Sequence, residues 1–303
     1  VNRAEALKMI LLAFDIEING EVPKEVAAEL TPEAVKEETA VVKFTDLETG
    51  KTVEENAKVK ETPPAQKELV SSFSDVDEGV WYEDFVTTAV NNGLVNGYPD
   101  GTFGPAKNIT LGEALKINLE ADKAIIPAEV PDEVFTDVAG ADWFSGYVLY
   151  AKDLLILNVT TKNTIKPHQE MTRGKLAELI YRIHKSKEGY MFGIASYYGD
   201  QFHGRTTASG TIFDNTEMTA ASRTLPFGTV VRVMNPKFDA SKHIDVTITD
   251  RGPYAFGRVI DLSKSAFEKI EHPGAGLTKV QYKIMTPEEL DKEKQEMIKS
   301  AYT

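Results

Sequence analysis

Two patterns of apolar positions divide the chain. In the first part, up to about residue 187, apolar residues recur at helical spacing, as in Ala6, Met9, Ile10 and Ala13, and predict amphipathic helices. Beyond residue 189 the runs are short and β-branched: Val230-Val-Arg-Val-Met234 and Ile244-Asp-Val-Thr-Ile-Thr249 are bounded by Gly or Pro and read as strands. A last strand is expected at Gln281-Tyr-Lys-Ile284, and a helix over Ser263 to Ile270. Thr286-Pro-Glu-Glu289 joins a capping box to a proline at the first helical position, so a terminal helix is expected over 286–303. Its Leu290, Met297 and Ile298 are candidates to dock on the strands or on a partner.

The helical part repeats itself. Phe73-Ser-Asp-Val76 with Trp81 recurs as Phe135-Thr-Asp-Val138 with Trp143, and both pairs are 62 residues apart. Ile109-Thr-Leu-Gly-Glu-Ala-Leu115 recurs as Met171-Thr-Arg-Gly-Lys-Leu-Ala177, and a third copy of this half opens the chain as Val1-Asn-Arg-Ala-Glu-Ala-Leu7. A full copy reads as a helix over Tyr82 to Asn92, a loop Asn96-Gly-Tyr-Pro-Asp-Gly-Thr-Phe-Gly104, and a second helix capped by Thr110. In the last copy Leu157 to Lys166 lacks the glycine pattern. Two such helices cannot bury their apolar faces alone, so the copies are expected to pack together. The opening half-copy would leave Ala6, Met9, Ile10 and Ala13 bare, which predicts cover from another segment or from self-association. Residues 19–71 read as an insertion or linker, with a hairpin of Val41-Val-Lys-Phe44 and Thr52-Val-Glu-Glu55.

Candidate chemistry lies among the strands. Asp250 ends one strand and is followed by Arg251-Gly-Pro, which places a carboxylate and a guanidinium at a turn. Such a carboxylate suits acid–base chemistry at an acetal, and it equally suits an Asx turn with a surface ion pair. Tyr197, Tyr198 and Phe202 cluster near the first strand, and alternation turns one of the two tyrosines toward a cleft where it can stack on a sugar. His203 and Arg205, in a Gly-bounded loop, are polar candidates for sugar hydroxyls. With no Cys and no His-Glu-x-x-His, neither a metal nor any other cofactor is expected.

Residues 189–285 resemble the RlpA-like double-psi β-barrel. The resemblance rests on Ala195-Ser-Tyr-Tyr-Gly199, Phe202-His-Gly-Arg205, Thr207-Ala-Ser-Gly210, Met218-Thr-Ala-Ala221, Thr249-Asp-Arg-Gly-Pro253 and Gly257-Arg-Val-Ile-Asp-Leu-Ser263. It implies lytic transglycosylases, which cut peptidoglycan between N-acetylmuramic acid and N-acetylglucosamine without water, with Asp250 on the family's proposed catalytic position. In that role Asp250 would first protonate the glycosidic oxygen and then act as base, with Arg251 holding it. Two positions depart from the family: Thr211 replaces a Glu and Ser222 a His. Asp261, in an Asp-Leu-Ser context similar to that of expansins, is the second acidic candidate; alternatively it caps the helix that follows.

The 62-residue units resemble S-layer homology repeats, over 72–125 and 134–187 with a half-repeat at 1–18. That family implies grooves that bind pyruvylated secondary cell-wall polysaccharide through Arg and Trp. Arg3 and Arg173 keep the family's Arg, whose fork suits a ketal carboxylate, and Leu111 replaces it in the middle copy. Trp81 and Trp143 are candidates for the same grooves; as a second reading they pack under their helices as core. Tyr98, Asp100 and Gly101 read as a plain turn.

Charge and length complete the reading. The chain has 303 residues, no Cys and net charge −13; residues 189–303 hold 14 basic and 14 acidic residues, so the whole excess lies in the first part. This disfavours nucleic acid, and no apolar run is long enough for a transmembrane segment. The chain lacks an initiator Met and a signal peptide and reads as a fragment or processed form. A multidomain α + β architecture is expected, a helical repeat bundle followed by a six-stranded double-psi barrel, extracellular, at a bacterial cell envelope. Its partners would be peptidoglycan glycan strands and secondary cell-wall polysaccharide. The barrel is expected either to cleave glycan as an enzyme or to act as a non-catalytic binding or structural module, with expansin-like loosening between the two.

Overall fold

The computed structural model describes residues 1–18, 40–45, 52–57, 73–160, 162–237, 242–255 and 257–301. These fall mainly into a helical unit that ends at His184 and a unit of strands from Lys185 onward. The first helix, α1 (Arg3–Ala13), is followed by strands β1 (Ala40–Thr45) and β2 (Thr52–Ala57), which form a two-stranded sheet of their own. The rest of 19–71 lies outside the described residues.

The helical unit continues with α2 (Glu83–Asn91), α3 (Leu111–Ala121), the short strands β3 (Glu133–Phe135) and β4 (Val138–Ala139), α4 (Ser145–Asp153) and α5 (Arg173–Lys187). Capping boxes start two of its helices: Asn2 with Glu5 on α1, and Thr110 with Glu113 on α3. The three second-helix segments meet in a closed cycle of backbone hydrogen bonds. Val1 N donates to Met171 O (2.6 Å), Met171 N to Ile109 O (2.9 Å), and Ile109 N to Val1 O (3.1 Å). Helix α1 then packs on α2 and α3, and α3 on α4. Ala6, Leu7, Ile10 and Leu11 are thereby fully buried within the chain. Helices α2 and α3 supply the cover expected from another segment over Ala6 and Ile10, while Met9 and Ala13 stay half-buried.

The repeat runs deeper in the backbone than in the residue types. Asp75 accepts hydrogen bonds from Phe103 N and Gly104 N, and 62 residues on Asp137 accepts from Ile165 N and Lys166 N. Gly93, Gly101 and Gly104 have positive φ, and their counterparts Leu155, Asn163 and Lys166 take the same left-handed conformation at φ 55°, 57° and 58°. The loop that lacks the glycine pattern therefore keeps the loop shape at the strain of non-glycine residues there.

One charged lock joins the first two repeats. The Arg3 guanidinium is buried, bonds Glu113 Oε1 at 2.8 Å and Phe103 O at 3.0 Å, and lies 4.8 Å from the ring centres of both Tyr98 and Phe103. Arg173 pairs more loosely with Glu5, at 3.6 Å and largely exposed. At the third equivalent place both partners have changed together, to Leu111 and Lys175, so no buried charge is left unpaired.

Strands β5 (Tyr190–Tyr197), β6 (Thr219–Ala221), β7 (Val230–Met234), β8 (His243–Asp250), β9 (Arg258–Leu262) and β10 (Thr278–Ile284) close into a barrel in the order β10-β5-β9-β6-β8-β7. Two pairs, β5 with β9 and β6 with β8, are parallel, and the other pairs are antiparallel. Val231, Val233, Val246, Ile248, Ile260 and Leu262 fill the interior. Helix α6 (Lys264–Ile270) is capped by Ser263, whose Oγ accepts from Ala266 N, so Asp261 is not its cap. Helix α7 (Pro287–Ala301) is tied to the barrel by Arg232, which bonds Asp245 on β8 and Glu293 on α7. Leu290 is half-buried on α7; the side chains of Met297 and Ile298 lie outside the described ones.

Arg3→Ala strands Glu113 beside apolar packing, and denaturant unfolding is expected to show a loss of about 3 kcal/mol. The double change Arg3→Leu with Glu113→Gln, which removes both charges and keeps the capping-box acceptor for Thr110 N, restores most of it. A single-variant loss under about 0.5 kcal/mol would mean that the pair behaves as a surface ion pair.

Candidate active site

Asp250 reaches its place through a bulge. Strand β8 alternates, and Ile244, Val246 and Ile248 all face the barrel interior, so unbroken alternation would send Asp250 inward too. The pairing with β6 skips Thr249: Ala220 pairs with Ile248, and Ala221 with Asp250. On the other edge of β6, Ala221 pairs with Asp261. Both aspartates thus flank Ala221, on strands about 10 Å apart.

Three donors converge on the Asp250 carboxylate. Tyr198 Oη donates to Oδ2 at 2.8 Å, and Ala208 N and Arg251 N donate to Oδ1 at 2.8 and 2.9 Å. A carboxylate offers about four acceptor positions, so one on Oδ2 is left for a substrate hydroxyl. Burial, and then the neighbouring Asp250 carboxylate, push the Tyr198 phenol well above its ordinary value, which keeps it a donor. Its ring is wedged against Phe213 and Phe202, with centroids 4.6 and 5.5 Å away.

Asp261 is in a different setting. Burial raises its carboxyl above the usual range, the charge of Asp250 adds to that, and Ser196 and Arg258 oppose it. Its Oδ1 and the Ser196 Oγ are buried without a hydrogen bond. The barrel therefore holds one carboxyl bound by three donors beside one whose Oδ1 has none.

Several sequence expectations change. The Arg251 guanidinium does not pair with Asp250; it donates to Leu225 O at 2.9 Å and Ser222 O at 3.3 Å and lies 3.7 Å over the Phe227 ring. Only its backbone N–H serves Asp250. Tyr197 faces away from the site, donating to Pro273 O and packing on Phe267. Tyr198 is the tyrosine at the cleft, and it serves the carboxylate. His203 is exposed, with Nδ1 accepting from Asn215 N, and Arg205 lies exposed over Phe202. Sequence reasoning missed Ala208 N and Phe213, although the Thr-Ala-Ser-Gly turn that supplies the former is visible in the sequence.

The two departures from the family have local partners. Thr211 Oγ1 lies 3.0 Å from Thr207 Oγ1 and 3.1 Å from Ser209 Oγ, a triangle of hydroxyls around Ala208. Ser222 Oγ accepts from Thr224 N and Leu225 N and shapes the turn that receives Arg251. Among the described residues one group has metal-ligating types in reach of one another, His243, Asp245 and Glu293, but Arg232 already occupies both carboxylates.

In the helical unit the two tryptophans are not core: Trp81 is 55% and Trp143 59% exposed. Trp143 lines a pocket of about 220 Å³ with Arg3, Tyr98, Glu113 and Lys116. Lys8 lies over Trp81, 5.7 Å from the ring centre. Arg3 reaches its pocket already committed to Glu113, whereas Arg173 is open to solvent.

Comparison with known proteins agrees with both units. The S-layer homology domain matches residues 72–115 and 134–177, and a lytic transglycolase domain matches 191–282. The chain carries S-layer homology repeats followed by an RlpA-like double-psi barrel. It is similar to the probable endolytic peptidoglycan transglycosylase RlpA of Treponema pallidum (strain Nichols), with 53% identity over 88 residues, 29% of this chain and 27% of that protein. A counterpart of the same printed name from Synechocystis sp. is 50% identical over 93 residues, 31% of this chain and 28% of its own. The endolytic peptidoglycan transglycosylase RlpA of Vibrio cholerae is 44% identical over 107 residues, covering 35% and 40%. The chain spans less than half the length of each.

Because Asp261 keeps its proton to a higher pH folded than unfolded, unfolding at neutral pH is not held back by that carboxyl; it costs stability as pH rises above about 4. Asp261→Asn is expected to be more stable than wild type at pH 7, with the difference closing below pH about 4. A stability difference independent of pH in thermal melts would contradict the raised value.

Proposed function

We propose that the barrel binds peptidoglycan glycan strands and cleaves them as a lytic transglycosylase, and that the repeats hold the chain on a bacterial cell wall. The observation that carries the reading is the pair of carboxyls on either side of Ala221. Asp250 accepts from three donors and has one acceptor position open, while Asp261 holds its proton to higher pH. The open acceptor position on Asp250 suits it to be the base, and Asp261, whose carboxyl burial raises, to be the acid. Asp261 gives its proton to the glycosidic oxygen as the bond from that oxygen to the anomeric carbon breaks. Asp250 takes the proton of the muramic acid 6-hydroxyl as that oxygen bonds to the same carbon. The product is a 1,6-anhydro end, no water is consumed, and exchange with solvent returns both carboxyls to their starting states. Tyr198 positions Asp250, and Arg251 shapes the turn beside it.

Binding without cleavage is the second reading. What favours it is that the family's Glu and His are replaced by Thr211 and Ser222, whose hydroxyls serve the local turns.

For the repeats, the exposed Arg173 with Trp81 and Trp143 is the proposed contact for a carboxylate-bearing wall polysaccharide. The described helices include none long and apolar enough to cross a membrane.

Mass spectrometry of soluble products from purified sacculi tests the first proposal. Anhydro-muropeptides are expected with wild type and not with Asp250→Asn. Asp261→Asn is expected to release far less anhydro product at every pH, since the proposed proton donor is gone. Release of no anhydro products by wild type, with sacculi still bound, would leave the binding reading. For the repeats, Arg173→Ala is expected to weaken retention on isolated secondary polysaccharide by about tenfold; unchanged retention would remove Arg173 from the contact.

A further inference from the structure

We propose that Tyr254 is the stacking platform for a pyranose ring next to Asp250, a substrate-positioning residue of the barrel. This deepens, and rests on, the reading of the barrel as a glycan site. Tyr254 is 80% exposed, more than any other large apolar or aromatic side chain among the described residues. It is nonetheless held in place: it follows the turn Arg251-Gly252-Pro253, in which Gly252 takes φ 139°. A Cβ on Gly252 would lie 3.9 Å from Tyr254 Cε2 and 3.9 Å from the Ala221 Cβ. The ring therefore lies against the Gly252 backbone, and Gly252 lies against the alanine that the two aspartates flank. Tyr254 is also near enough to Tyr198, the donor to Asp250, to affect its titration. One edge of the ring lies over Gly252, next to Ala221, while the ring stays open to solvent. A flat face with a polar tip suits the C–H face of an N-acetylated amino sugar, because an apolar ring meets apolar hydrogens there and the rim hydroxyls stay wet.

The test uses the full chain and purified glycan strands freed of stem peptides and of secondary polymer, so that retention reports the barrel. Tyr254→Ala is expected to bind these strands about five- to tenfold more weakly, and Tyr254→Phe within about twofold of wild type. Leu277→Ala, at another exposed apolar residue, is expected to leave binding unchanged. Thermal melts of all three should match wild type, since these side chains support little packing. Wild-type binding by Tyr254→Ala overturns the platform and leaves the glycan reading intact. Equal weakening by Leu277→Ala overturns it as general apolar adhesion. Strands that wild type does not bind overturn both. Product formation, assayed separately with Asp250→Asn, decides the catalytic reading whichever way binding falls.

Discussion

The bulge at Thr249 is the constraint from which the candidate site follows. A barrel interior filled by Val246, Ile248, Ile260 and Leu262 has no partner for a carboxylate, and an unpaired one there would cost several kcal/mol or lose its charge. By skipping one residue of β8 against β6, the strand keeps its apolar residues inside and turns its last residue to the side of Ala221. There a donor just past the end of β5, Tyr198, and a donor from the Thr207–Gly210 turn reach it. The parallel pairing of β6 with β8 and of β5 with β9 brings these pieces together, so the site is a product of the barrel topology.

The helical unit solves a different problem with the same economy. Three sequence copies must share one core, and the cycle among Val1, Ile109 and Met171 joins the backbone groups that precede the second helices. Around that cycle the side-chain contacts are free to differ. The first junction is a buried Arg–Glu pair, the second a loose one, and the third has exchanged both charges for Leu111 and Lys175. A buried pair is costly to break on one side only, which explains why both members differ at the third junction. It also separates the two arginines: Arg3 is spent on the fold, and Arg173 remains available to a ligand.

The sequence made the architecture legible because both halves carry periodic signals: the 62-residue recurrence, and β-branched runs bounded by Gly or Pro. It was less informative where side chains change partners. Arg251 follows Asp250 directly, yet adjacent residues on a strand end point apart, and the guanidinium goes to the Ser222–Phe227 turn. Tyr197 and Tyr198 are indistinguishable by type, and only the strand pairing decides which one meets Asp250. For the tryptophans the sequence left two readings open, groove or core, and their exposure removes the core one. Loop shape was also hidden, because Asn163 and Lys166 adopt the conformation that glycine marks in the preceding copy.

Thr211 and Ser222 can be understood in the same terms. A Glu at 211 would put a third carboxyl near Asp250 and Asp261, and would raise the cost of ionising either. Thr211 instead shares protons with Thr207 and Ser209 around the amide that binds Asp250, so the replacement stiffens the carboxylate's support without adding charge. Ser222 does the same from the other side, fixing the turn whose Leu225 carbonyl holds Arg251. Both departures thus put hydroxyls with local partners where the family carries a Glu and a His, and the carboxyls left on either side of Ala221 are Asp250 and Asp261.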